Sequence, residues 1–92
     1  MSRKANRCVV IHGNKAYVLS QSGAKIIKAL LQHGPLTYVD LRRHTRVPKA
    51  SLYTFTGRLV RAGLVRKHYI GSKYVELSIP EGVTALAACY VG

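Results

Sequence analysis

The chain has 92 residues, 48% of them hydrophobic, and fifteen Lys and Arg against three acidic residues, for a formal net charge of +12. That length suits one small folded domain, and the apolar content is far above that of a disordered basic tail. The charge argues against a cationic partner and points to a polyanion, nucleic acid first, because neutralised phosphates release condensed counterions.

Residues 1–7 are basic, but the apolar stretch Cys8-Val9-Val10-Ile11 stops at His12-Gly13-Asn14, too short for an export signal. The longest unbroken apolar run, Ala85 to Val91, is well below the roughly 18 residues of a membrane span. The expected location is therefore cytoplasmic and nucleoid-associated, with no secretion, no transmembrane segment and no membrane partner. Cys8 and Cys89 lie near opposite ends and neither has a second cysteine at metal-ligand spacing, so reduced thiols are the default reading.

Residues 1–19 read as a basic arm followed by a β-hairpin, with β-prone runs Cys8 to Ile11 and Ala16 to Leu19 around His-Gly-Asn-Lys. Ser20 or Ser22 can cap a first helix that buries Ile26, Ile27, Leu30 and Leu31 and ends at Gly34-Pro35. Thr37 and Asp40 form a capping box that opens a second helix, with Tyr38, Leu41 and Thr45 on one face and Arg42 and Arg43 in solvent.

After Thr45-Arg46-Val47, Pro48 favours the start of a third helix over residues 48–62. Leu52, Phe55, Thr56 and Leu59 share its inner side, and Gly63 supplies the left-handed stop. Two strand-like runs follow, 65–70 and 74–79, joined by Gly71-Ser72-Lys73. Ser78 and Glu81, with Pro80 between them, read as a second capping box opening a last helix over 80–92, with Val83, Leu86, Ala87 and Tyr90 as its apolar face.

The expected fold is α+β, a three-helix core plus a β-hairpin over 20–79, flanked by the N-terminal hairpin (1–19) and the C-terminal helix (80–92). Leu36-Thr37 with Asp40-Leu41, then Leu59, Arg61 and Ala62-Gly63-Leu64-Val65-Arg66, then Val75 to Gly82, resemble in order three motifs of the winged helix-turn-helix superfamily, closest to the MarR and ArsR type of transcription regulators. The motifs fall within about half of the chain. The resemblance implies double-stranded DNA as partner, helix 48–62 in the major groove, the wing 65–79 on the backbone or minor groove, and a homodimer. Two residues depart from the family pattern: Pro48 stands where a capping Ser or Thr is common, and Gly57 where a longer side chain is usual.

The chemistry-bearing residues agree with a binding protein. Asp40, Glu76 and Glu81 are the whole set of carboxylates and make no acid/base pair, and His12, His33, His44 and His68 form no metal-ligand spacing. No catalytic residue, cofactor, metal or small-molecule ligand is expected, and the chain reads as a non-enzyme. Arg42, Arg43, Arg46, Lys49, Arg58, Arg61, Lys67 and Lys73 fall on the segments that meet DNA in this fold, with Ser51, Tyr53 and Thr54 on the outer side of the third helix. Tyr53 and Thr54 are the leading candidates for base contact, Ser51 and Lys49 for phosphate. A sequence-specific or semi-specific transcription regulator is the first reading. A DNA-coating architectural protein and a protein-interaction winged helix in a replication or transcription complex are the alternatives.

Overall fold

The computed structural model describes residues 7–72 and 74–90, with side chains described over 9–72 and 74–83. The chain runs β1 (Arg7–His12), β2 (Lys15–Ser20), α1 (Gln21–His33), β3 (Leu36–Thr37), α2 (Tyr38–Thr45), α3 (Lys49–Arg61), β4 (Arg66–Ile70), β5 (Tyr74–Ser78) and β6 (Val83–Tyr90). The architecture is α+β, with the three-helix core and following hairpin that the sequence predicts.

Local chemistry sets the helix limits. Ser20, in an extended conformation, accepts a hydrogen bond from the Gly23 N–H at 3.3 Å and so caps α1. Thr37 caps α2 in the same way, accepting from the Asp40 N–H at 3.3 Å, while its own hydroxyl donates to the Asp40 carboxylate at 3.3 Å. The box is thus closed on the Thr37 hydroxyl, where a longer Glu would reach back to the backbone N–H. Pro48 is the N-cap of α3, with no side-chain cap, one position earlier than a helical first residue. Gly63, at φ 81°, ends that helix by the expected left-handed turn, and its N–H donates to the Val60 carbonyl.

Two antiparallel three-stranded sheets flank the helices. In one, β3 and β4 both pair with β5, so Leu36 meets Leu77 in register and the β4–β5 hairpin is tied to the entry of α2. In the other, the order is β2-β1-β6, with β1 in the centre. A single cluster of buried residues joins Val10, Leu19 and Val83 of this sheet to Ile26, Ile27 and Leu30 of α1, Leu41 of α2, Leu52 and Leu59 of α3, and Leu77 of β5.

Strand β6 corrects the expected helix over 80–92. Ser78 completes β5 opposite Arg66 and cannot cap, and residues after it turn: the Val83 N–H donates to the Pro80 carbonyl and Gly82 sits at φ 93°. The following alanine-rich segment has good helix propensity, but the free edge of β1 offers a ladder of backbone partners, and tertiary pairing overrides a weak local preference. The β1–β6 register shifts at Val9/Val10 and Val10/His12 and brings Cys8 opposite Cys89, residues that the sequence places at opposite ends. Their thiols, like the side chains of Leu86, Ala87 and Tyr90, lie outside the described side chains.

Gly82 holds the turn before β6 in place. A Cβ there would meet the His12 ring at 3.3 Å and require a backbone conformation costly to any L side chain. Gly82→Ala is expected to destabilise the fold by about 1–2 kcal/mol, read as a melting temperature lowered by roughly 4–16 °C in a chain of this size; an unchanged melting temperature contradicts the turn described.

Candidate nucleic-acid interface

The candidate interface is built on the α2–α3 junction, and one threonine organises it. Thr45 is buried; its hydroxyl donates to the Leu41 carbonyl at 2.8 Å and accepts from the Val47 N–H at 3.3 Å, tying the last turn of α2 to the connection that follows. Arg46 then takes the left-handed conformation, φ 61° and ψ 17°, its N–H donating to the Arg42 carbonyl at 2.8 Å. Val47 is buried beside this turn, and Pro48 leads the chain into α3 with its carbonyl accepting from the Leu52 N–H. Between them these contacts fix the angle at which α3 leaves α2.

The inner side of α3 is anchored by Leu52, Thr56 and Leu59, all buried. Thr56 carries no polar penalty, since its hydroxyl donates to the Leu52 carbonyl at 2.8 Å. The outer side presents Tyr53 and Thr54. The Tyr53 ring meets Tyr38 edge-on, 4.6 Å between centroids, so the leading base-contact candidate is held by α2 and half of it is left in solvent. Thr54 is exposed, and its hydroxyl donates to the Ala50 carbonyl at 3.1 Å. Ser51 is half-buried.

Of the basic residues singled out in the sequence, Arg42 and Lys49 share a cleft of about 170 Å³ with Tyr38, Val39, Leu52 and Tyr53. Arg43 is exposed and sits 3.8 Å from Asp40, the one ion pair among the described residues and a weak one in solvent. Arg46, Arg61 and Lys67 are exposed at the junction, the end of α3 and β4 respectively. Arg58 stands apart: its guanidinium lies 5.4 Å from the Phe55 ring and borders a different pocket, shared with Tyr17 and Val18 of β2. Lys73 lies outside the described residues. Glu76 lies opposite His68 in the ladder.

Gly57 has open space where a Cβ would stand, so no packing against the hairpin explains it. Sequence reasoning also missed several features. Val39 is exposed beside Arg42, and Tyr69, Ile70 and Tyr74 are exposed on the β4–β5 hairpin, Ile70 paired with Tyr74. His33 and His44 stack between α1 and α2, a contact that no local periodicity signals.

The family model of the sugar-specific transcriptional regulator TrmB matches residues 15–81, well over half of the chain, and the chain belongs to that family. Among solved structures it is similar to NadR in complex with 4-hydroxyphenylacetate, with a TM-score of 0.65 and 26% identity, covering 68% of this chain and 46% of that one. It is similar in fold to a MarR mutant from E. coli complexed with operator DNA (TM-score 0.64, 20% identity, 70% and 47% covered). The same holds for BpsR of Bordetella bronchiseptica, whose DNA binding is regulated by 6-hydroxynicotinic acid (TM-score 0.65, 19% identity, 68% and 45% covered). The chain thus spans about half the length of these structures, and the winged-helix fold expected from its motifs is the one it has. No curated protein matches the chain closely enough to stand as a relative.

Arg46 is the one non-glycine residue with positive φ among those described. A side chain in that conformation costs about 1–2 kcal/mol, a strain that glycine would not carry. Arg46→Gly is expected to leave the melting temperature equal or higher while weakening duplex DNA binding severalfold; a drop in stability with unchanged DNA binding would reverse this assignment.

Proposed function

We propose that this TrmB-family chain binds double-stranded DNA through α2, the following turn, α3 and the β4–β5 hairpin, and acts as a transcription regulator. The observation that carries the reading is the cleft beside α3. Arg42 and Lys49 border it from two helices, with Tyr53 fixed between them and no carboxylate in its lining. A phosphate on that cleft is held by two cations while α3 enters the major groove.

Within α3, Thr54 reads bases. Its proton is engaged by the Ala50 carbonyl, so its oxygen remains an acceptor and suits the amino group of adenine or cytosine. Arg61 reaches a guanine edge or a phosphate from the last turn, while Arg43, Arg46, Ser51 and Lys67 hold the backbone, and Lys73 extends the same role at the hairpin turn. Arg58 contributes to the long-range field more than to contact, since it lies over Phe55. Gly57 leaves room for close approach of the duplex.

A homodimer remains part of the proposal. The β2-β1-β6 sheet, whose edge strand β2 exposes Val18, supplies a surface for it. Two of the similar structures concern small aromatic acids, so this reading leaves room for a small-molecule ligand. The architectural reading is favoured by one fact, the +12 charge on 92 residues, and is separable by competition.

Binding to duplex DNA is expected to fall with salt at a logarithmic slope near −4 to −5 per subunit, for roughly 4 to 6 neutralised phosphates. Lys67→Ala should weaken all sequences alike and reduce the slope by about one. Thr54→Ala should cost about 1–3 kcal/mol on the preferred site and spare random DNA. A slope near zero rejects the proposed phosphate contacts, and equal loss on preferred and random duplexes rejects sequence reading in favour of the architectural role.

A further inference from the structure

A third pocket, of about 260 Å³, opens between α1 and the C-terminal end of α2, and α3 contributes nothing to it. Lys25, Lys28, Gln32 and His33 line it from α1, and His44 from α2. The two imidazoles stack with centroids 4.0 Å apart and planes 18° from parallel. We propose that this pocket is a binding site for a phosphate-class oxyanion.

The charge arrangement leads there. Every ionisable side chain in the lining is a base: two ammonium groups and two imidazoles. None of the protein's three carboxylates lines the pocket. Asp40 is engaged with Thr37 and Arg43, Glu76 lies in β5, and Glu81 lies in the turn before β6. The pocket therefore concentrates donors with no internal anion to satisfy them. Ammonium, amide and imidazole N–H groups together match an oxyanion with several acceptor oxygens.

The stack also separates an anion from a metal. Two imidazoles bind one metal ion when their in-plane lone pairs converge on a point about 2.0–2.1 Å from each nitrogen. Nearly parallel rings direct those lone pairs side by side, and among the described residues no third His, Cys, Asp or Glu joins them. Both histidines sit in the last turn of their helices, so the stacked pair borders the pocket where the two helices end. An oxyanion accepts from imidazole N–H groups and needs no convergent lone pairs.

The same phosphate chemistry is available from two sources, a free phosphate-bearing small molecule or the DNA backbone, and the site itself does not depend on the DNA reading. The test is imidazole NMR on the full chain, titrated with inorganic phosphate at constant ionic strength against a chloride control. The resonances of His33 and His44 are expected to move saturably, with those of His12 and His68 still, and Lys25→Gln with Lys28→Gln should weaken the response about tenfold or more. Both lysines are exposed, so the double variant is expected to fold. Repeating the titration with saturating duplex DNA distinguishes the sources: loss of the phosphate response assigns the site to DNA phosphates, and its persistence assigns it to a free ligand. A drift equal to that of chloride, or an unchanged response in the double variant, overturns the proposal.

Discussion

The DNA-binding surface proposed for this protein depends on the angle between α2 and α3, and that angle is set by a few atoms. Thr45 bridges the Leu41 carbonyl and the Val47 N–H, Arg46 makes the left-handed turn, and buried Val47 and Leu52 close the space beneath. A buried hydroxyl with both roles filled is stable, whereas removing it strands the Val47 N–H at a cost of about 1–3 kcal/mol. With the junction fixed, Lys49 and Tyr53 come to stand beside Arg42, although they lie on different helices. The hairpin is registered to the same unit through β3, where Leu36 pairs with Leu77.

On this rigid base the protein leaves its cations unpaired. Arg42, Arg43, Arg46, Lys49, Arg58, Arg61 and Lys67 are all exposed, and among the described residues only Arg43 has a carboxylate within ion-pair distance. Such a surface repels itself and is maintained at some cost to stability, a cost that a polyanion reverses on binding. The basic pocket between α1 and α2 obeys the same rule on a smaller scale, and its stacked imidazoles give it an edge that lysines alone do not supply.

What was legible in the sequence was local. Ser20 and Thr37 as caps, Gly63 as a stop, the inner side of α3 and the two strands of the hairpin each follow from chemistry within a few residues. The misread segment is the one whose structure is decided elsewhere: residues 83–90 carry a helix-compatible pattern and become a strand because β1 has an open edge. Placement on a helix face was likewise readable, but not what each side chain touches. Tyr53 is steadied by Tyr38, and the exposed His44 stacks on His33, in each case from another helix. Such contacts depend on the crossing of two helices, which periodicity within either helix does not encode.

The central claim is that the α2–α3 unit is the surface that meets DNA. Modification of lysine and arginine side chains, mapped by mass spectrometry with and without saturating duplex DNA, tests it directly. Arg42, Arg46, Lys49 and Lys67 are predicted to become protected while Lys15, in β2, reacts as before; protection of Lys15 with those four left reactive would contradict the account.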